Sequence, residues 1–140
     1  MQVRVLNAQK EAAVPVKAME KLARRAVKCL KIRRKGLFHV TFISSWRMRR
    51  LNGLFLRHHW PTDVLTFRYD GESVAGEVLV APAQARRYAK THGIAYRHEL
   101  ARYVVHGLLH WTGLEDATPK QQQRMRRLED ALLKRCGVIA

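Results

Sequence analysis

The segment Val105-His-Gly-Leu-Leu-His-Trp-Thr-Gly-Leu-Glu-Asp116 combines an apolar helical pattern with residues that can bind a metal ion. His106 and His110 are four residues apart, so a helix places both imidazoles on one face, one turn apart. The second glycine of the segment lets the chain turn back, so that Glu115 or Asp116 can supply a third ligand. Three protein ligands leave one position for water, which is typical of a catalytic zinc site.

A second interpretation treats the two histidines as partly buried helix residues without a metal. The helix is apolar on most sides, so its histidines need polar partners, and the Glu-Asp pair beyond it offers a carboxylate. Gly107 stands where a zinc protease of the His-Glu-x-x-His type has its general base. Because glycine cannot accept a proton, the sequence disfavours metalloprotease chemistry.

Outward from this segment, the sequence predicts one α+β domain over residues 1–140, a small central sheet of about four strands with about five helices packed over it. Period-two alternation and β-branched runs predict strands over 2–6, 39–43, 64–67 and 76–80. Helical spacing, with caps at Ser45 and Thr118, predicts helices over 15–34, 45–56, 83–92, 96–112 and 119–137.

The charge of the chain predicts a polyanionic partner. The 140 residues include 27 Lys and Arg but only 11 Asp and Glu, a formal net charge of +16. An anionic membrane is disfavoured because no apolar run approaches the roughly 20 residues that span a bilayer. Cys29 and Cys136 form no C-x-x-C pattern, so we expect no disulfide framework and a cytoplasmic location.

Several motifs in register resemble those of one family. His106-Gly-Leu-Leu-His-Trp-Thr-Gly-Leu-Glu-Asp116 is similar to the His-Gly-x-Leu-His-x-x-Gly-Tyr-Asp-His motif of the YbeY family of bacterial rRNA maturation factors. Asn52, Arg57 and Thr62-Asp-Val-Leu-Thr-Phe67 match the family's Asn, Arg and Thr-Asp-Val-Leu-Ser-Phe, and Gly76-Glu-Val78 matches its Gly-Asp/Glu-Ile. Order and spacing agree from about residue 40 to residue 132.

The resemblance implies a metal-dependent endoribonuclease with one zinc ion per chain, acting in 16S rRNA 3′-end maturation and ribosome quality control. Its partners would be ribosomal RNA and the small ribosomal subunit, with no membrane and no small-molecule substrate. The family's zinc is held by three histidines, of which two match His106 and His110 and the third falls on Asp116. An Asp oxygen can replace His nitrogen as a zinc ligand. Glu115 as the ligand, or Asp116 as a turn residue beside a weak site, remain alternatives.

The remaining candidates are one catalytic cation, one supporting acid and a basic surface. The resemblance places Arg57 in the cleft near the metal, where a guanidinium can bind phosphate bidentately. We interpret Asp63 as a residue that caps backbone N–H groups first and supports the site second. A helical face is expected to contact RNA phosphates through Lys17, Lys21, Arg24, Arg25 and Lys28. The alternative function is a non-catalytic ribosome-assembly factor with a structural metal.

Overall fold

The computed structural model describes residues 1–56, 63–71 and 73–138. Within these ranges the chain forms four strands, five α-helices and one π-helical turn. Their order is β1 (Gln2–Asn7), α1 (Val16–Cys29), β2 (Leu37–Phe42), α2 (Ser45–Leu51), the π-helical turn (Asn52–Leu56), β3 (Val64–Arg68), β4 (Val74–Val80), α3 (Pro82–His92), α4 (Tyr96–Trp111) and α5 (Pro119–Arg135). The predicted α+β class is confirmed. Among the described residues, no helix is both long and apolar enough to cross a lipid bilayer.

The strands form one mixed sheet in the order β1-β2-β4-β3. β1 is parallel to β2 and β2 is parallel to β4, whereas β3 runs antiparallel to β4. β3 is therefore an edge strand, and its outer side faces away from β4. This edge is where α4 lies across the sheet, with contacts to both β3 and β4.

Strand alternation sends apolar side chains to both faces of the sheet. On the face covered by α1 and α4, the main core includes Phe38, Val40 and Val78, which pack with Leu100 and Leu108 of α4. On the opposite face, a smaller cluster lies under α2 and contains Ile43, Met48, Leu65, Leu79 and Ala81. The sheet is thus fixed from both sides near the start of β3.

The predicted helix over 15–34 is too long, since α1 ends at Cys29. Lys31 adopts a left-handed conformation with φ 53°. The N–H of Ile32 donates to the carbonyl of Val27 at 3.3 Å, and the N–H of Lys31 donates to that of Lys28 at 3.1 Å. These bonds form a Schellman ending without its usual glycine. The predicted helix is too long because Gly36 is the residue that the sequence predicts to end it.

The predicted helix over 45–56 divides into α2 and the π-helical turn, and its N-cap is Ser44 instead of Ser45. The Ser44 hydroxyl accepts from the N–H of Arg47 at 3.1 Å. The N–H of Ser45 instead donates to the Glu11 carboxylate at 2.6 Å. The sequence offers two adjacent serines as N-cap candidates. The hydrogen bond from the N–H of Ser45 to Glu11, which is distant in sequence, accompanies the choice of Ser44 as the N-cap.

Candidate metal centre

α4 presents both histidines on one side because its opposite side is pressed against the sheet. A Cβ atom added at Gly107 would lie 2.4 Å from a methyl carbon of Val78 and 3.0 Å from one of Val64. The Gly107 carbonyl accepts from the Thr66 hydroxyl at 3.1 Å. Only a residue without a side chain allows this approach. A glutamate at position 107 would point into the sheet, so the general base of a metalloprotease has no room there.

A tight turn brings the third candidate ligand back to the helix. Gly113, with φ 108°, follows α4, and the N–H of Leu114 donates to the Leu109 carbonyl at 3.3 Å. This Schellman ending reverses the chain direction. The next helix starts at Thr118, whose side chain forms a capping box with Gln121. Asp116 lies between these two fixed points and returns to the histidine pair.

His106, His110 and Asp116 form a compact, half-buried group that could hold a metal ion. One ligand atom from each of the three lies within 4.8 Å of the others. The Nε2 atom of His106 is 3.4 Å from Oδ2 of Asp116, and Nε2 of His110 is 3.3 Å from Oδ1. The two imidazole rings meet edge to face, with centroids 4.5 Å apart.

The opposite nitrogen of each ring has a fixed hydrogen-bond acceptor. Nδ1 of His106 is 2.6 Å from a carboxylate oxygen of Glu129, and Nδ1 of His110 is 2.8 Å from the Leu114 carbonyl. Carboxylates and carbonyls only accept, so both Nδ1 atoms donate, and a neutral ring then carries a lone pair on Nε2. Each lone pair faces an Asp116 oxygen. Acceptors in this arrangement repel one another unless they share a cation, so the donor set fits a metal ion.

A partly buried ion network holds Glu129 against His106. Arg102 donates to Glu129 at 2.9 Å and to Asp130 at 2.6 Å, and its Nε lies 3.9 Å from Glu99. Burial lowers the pKa of Arg102, but its bonds with Asp130 and Glu129 outweigh burial and raise it. Burial raises the pKa of Glu99, against the charge of Arg102. The orientation of His106 therefore depends on a residue of α5 and a guanidinium of α4 itself.

A cavity of about 480 Å³ opens beside His106 and Asp116. Asp63 lies at its wall, and its carboxylate accepts from the hydroxyl of Tyr103 at 3.1 Å. Burial raises the pKa of Asp63, although the Tyr103 hydrogen bond and the charge of His106 lower it. Burial and the Asp63 carboxylate together raise the pKa of Tyr103. The carboxylate of Asp63 thus faces the site, and among the described residues its hydrogen-bond donor is a tyrosine, where a backbone N–H was expected.

A separate groove of about 380 Å³ lies on the His110 side and is bordered by β3. Arg68 lines it, donating to the Trp111 carbonyl at 2.7 Å while its guanidinium lies 4.7 Å from the Trp111 ring centroid. Its Nε is 3.6 Å from the exposed Asp70 carboxylate. This groove therefore carries a fixed guanidinium next to a candidate ligand.

The other residues that the sequence predicts for the site lie away from the metal group or outside the described residues. Glu115 is exposed and its carboxylate lies 3.5 Å from the side-chain amide of Gln121, so it turns away from the histidines. Arg57 lies outside the described residues, and its role stays a prediction. The basic residues chosen for RNA all lie exposed on α1, and none of them lines the cavity beside His106. Arg24 is paired with Glu20 at 2.7 Å.

Sequence reasoning missed Glu129 and Arg102. A signal for Glu129 was available, because it stands in the apolar stripe of α5 with Met125, Leu132 and Leu133 and is only 4% exposed. A carboxylate on a buried helix face needs a partner. Which partner it takes depends on how α5 packs on α4, and the sequence alone does not show that packing.

The molecule is an α+β protein in which a histidine pair on a helix across a mixed sheet and an aspartate from the following turn form a group that could hold a metal ion. The family model described as endoribonuclease YbeY matches residues 4–137. The chain belongs to this family, and it is accordingly a nuclease that acts on RNA.

Individual relatives agree with the family model. The chain is 34% identical over 104 residues to an endoribonuclease YbeY of Polynucleobacter asymbioticus, which covers 73% of this chain and 67% of the relative. It is 29% identical over 116 residues to that of Aster yellows witches'-broom phytoplasma, covering 78% and 80%. The solution structure of a Thermotoga maritima protein superposes with a TM-score of 0.66 at 26% identity, covering 96% of this chain and 88% of that one.

Proposed function

We propose that the chain is a zinc-dependent, single-strand endoribonuclease that matures the 3′ end of 16S rRNA and serves ribosome quality control in the cytoplasm. Its partners would be ribosomal RNA and the small ribosomal subunit. The observation that carries the proposal is the arrangement of His106, His110 and Asp116, in which both Nε2 atoms face the Asp116 carboxylate at 3.3 and 3.4 Å.

The two spacings, which run to different oxygens of Asp116, are compatible with zinc. Ligand atoms about 2.0–2.1 Å from one zinc ion, at the tetrahedral angle, stand roughly 3.3 Å apart. Zinc bound there would supply an activated water or polarise a phosphoryl oxygen. A carboxylate in place of a third imidazole lowers the net charge of the ligand set by one, so a metal held there would acidify its water less strongly. It also makes the site more tolerant of harder metals such as manganese or iron.

The side chains around the metal group have separate roles in orienting the ligands and binding the phosphate. His106 and His110 present lone pairs in fixed directions because Glu129 and the Leu114 carbonyl hold their Nδ1 atoms. Arg57 would bind the phosphate and stabilise the charge that develops on its non-bridging oxygens. Arg68 supports the same substrate class, because it places a guanidinium in the groove beside His110.

The test compares wild type with His110→Ala and Arg57→Ala for metal content, cleavage of a single-stranded RNA and binding of that RNA. We expect His110→Ala to lose zinc and cleavage while it keeps RNA binding. Arg57→Ala should keep zinc and fold but cleave more slowly. The contradicting result is a wild type that binds zinc but cleaves no RNA, together with a His110→Ala variant that has lost the zinc. The metal would then be structural, and the alternative of a non-catalytic assembly factor would hold.

The ribosomal substrate is tested in a bacterium whose own gene for this endoribonuclease has been deleted. Expression of the chain should restore mature 16S 3′ ends, measured by mapping the rRNA termini, and His110→Ala should not. Restoration by His110→Ala at equal protein level would separate 16S maturation from the metal group. Cleavage of a duplex as fast as of a single strand would contradict the strand preference.

A further inference from the structure

The cavity beside His106 has the size and walls of a ligand pocket. Its volume of about 480 Å³ lies within the range usual for small-molecule sites. Its apolar and aromatic wall includes Val64, Tyr88, Tyr103 and Met125. Its other wall reaches His106 and Asp116, so a group in the cavity adjoins the candidate metal ligands.

The charge of the cavity disfavours a phosphate. Among the described residues, two guanidiniums line it, from Arg102 and Arg126, and four carboxylates outnumber them, from Asp63, Glu99, Asp116 and Glu129. A phosphodiester carries a negative charge and accepts hydrogen bonds, so the part of the cavity around Asp63 and Glu99 disfavours it, whereas a metal ion at His106 and Asp116 would attract it. The part of a nucleotide that suits a cavity with apolar walls and carboxylate acceptors is the base.

We propose that this cavity binds one nucleobase of the RNA next to the cleaved bond, and that it prefers bases with an exocyclic amino group over uracil. Asp63 is the hydrogen-bond acceptor and Tyr88 is the stacking surface. The inference rests on the proposed function, from which it takes RNA as the substrate. It adds a base preference to the candidate metal site.

Asp63 has the chemistry to make this choice. One carboxylate oxygen accepts from the Tyr103 hydroxyl, and among the described residues no donor bonds to the other. An ionised carboxylate only accepts hydrogen bonds. Guanine offers an amino group beside a ring N–H, and adenine and cytosine each offer an amino group. Uracil offers a single N–H between two carbonyl oxygens, which a carboxylate repels.

Tyr88 has the position of a stacking residue. Its ring lines the cavity and is 38% exposed. His92, one turn later on α3, stacks on the ring with centroids 3.9 Å apart and an interplanar angle of 18°, so the ring is held in place. An aromatic platform strengthens the binding of any base by about tenfold, because every base has a π-face. Tyr88 should therefore contribute affinity without preference.

The test measures binding of the four nucleosides to the zinc-loaded protein by NMR titration at pH 8. Nucleosides contain no phosphodiester, so binding is separated from cleavage. We expect guanosine, cytidine and adenosine to bind about tenfold or more tightly than uridine. Equal binding of all four, or a preference for uridine, would overturn the proposal without any variant.

Variants then assign the preference to Asp63. Asp63→Asn should shrink the difference between guanosine and uridine, since an amide also donates and can pair with a uracil carbonyl. Asp70→Asn makes the same charge change at an exposed carboxylate that does not line the cavity, and it should leave the difference unchanged. Tyr88→Leu should weaken all four nucleosides about equally. Equal effects of Asp63→Asn and Asp70→Asn would contradict the assignment.

The outcomes separate the two proposals. A protein that discriminates among nucleosides but cleaves no RNA would retain the base pocket and lose the nuclease proposal. A protein that cleaves RNA but binds nucleosides without preference would retain the nuclease and lose the base pocket.

Discussion

Asp116 stands where the family motif that this sequence resembles has a third histidine. Its two oxygens face both imidazoles, while the neighbouring Glu115 turns toward Gln121. Asp116→Ala removes one of the three candidate ligands. We expect zinc affinity, measured by competition with a chelator, to fall by more than about 100-fold, because loss of an outer hydrogen-bond partner alone typically costs about 10–100-fold.

The companion variant Asp116→His restores the family pattern. It should bind zinc at least as tightly as wild type and shift the pH–activity profile toward lower pH, because removal of the carboxylate makes a bound water more acidic. The comparison belongs above about pH 6.5, where the new imidazole is neutral. If Asp116→Ala binds zinc as tightly as wild type, Asp116 is not a ligand.

Glu129 is a positioning residue for His106. Glu129→Gln keeps its size but replaces a charged acceptor by a neutral one, and zinc affinity should fall by about 10–100-fold. Asp130→Asn is the matched control, because Asp130 bonds the same Arg102 at 2.6 Å and does not contact His106. Chelator competition on both variants measures whether Glu129 contributes to zinc binding by orienting His106. Equal zinc affinities for the two variants would show that Glu129 only stabilises the fold.

At the scale of the element, α4 depends on its close approach to the sheet. Gly107→Ala places a methyl group where Val78 stands 2.4 Å away. Overpacking costs about 1–3 kcal/mol, and the better helix propensity of alanine offsets up to about 1 kcal/mol. We expect a lower Tm and weaker zinc binding, since the helix must lift away from β3 and carry both histidines with it.

Gly53→Ala is the control for this helix variant. A Cβ at Gly53 meets no atom of the described residues within 4 Å, so this substitution should leave the Tm unchanged or slightly raised. A Gly107→Ala protein as stable as wild type would contradict the account of α4 packing.

Local signals explain why the sequence predicted α4, the turn after it and the start of α5. The apolar spacing, Gly113 and the Thr118-Pro119 cap each act within a few residues, and the structure has all three. The end of α1 was wrong because a lysine can adopt a left-handed conformation when the following Ile32 packs on the core. Local signals could not predict the contact between Glu129 and His106, because the two residues are 23 positions apart in the sequence.

At the scale of the whole molecule, the +16 charge is distributed unevenly between a carboxylate-rich cavity and basic outer surfaces. Within the described part of the chain, the lysines of α1 form no ion pair, so they can contact phosphates. If they do, replacing three of them by alanine should reduce the slope of log K against log salt by about 0.7 for each contact with single-stranded RNA. The three are Lys17, Lys21 and Lys28.

A second triple variant makes the same charge change elsewhere and should leave the salt slope closer to that of wild type. It replaces exposed lysines of α3 and α5, namely Lys90, Lys120 and Lys134. Equal slopes for the two triple variants, measured by equilibrium binding over a range of salt concentrations, would show that RNA does not bind along α1.

The central claim is that one metal ion, held by His106, His110 and Asp116, makes this chain a nuclease. The most direct measurement is a titration of metal-free protein with zinc, in which the initial rate of single-stranded RNA cleavage is followed. The rate should rise linearly and level off at one zinc ion per chain, and His110→Ala should show no rise at the same concentrations. Cleavage by the metal-free protein, or an undiminished rise with His110→Ala, would contradict the claim.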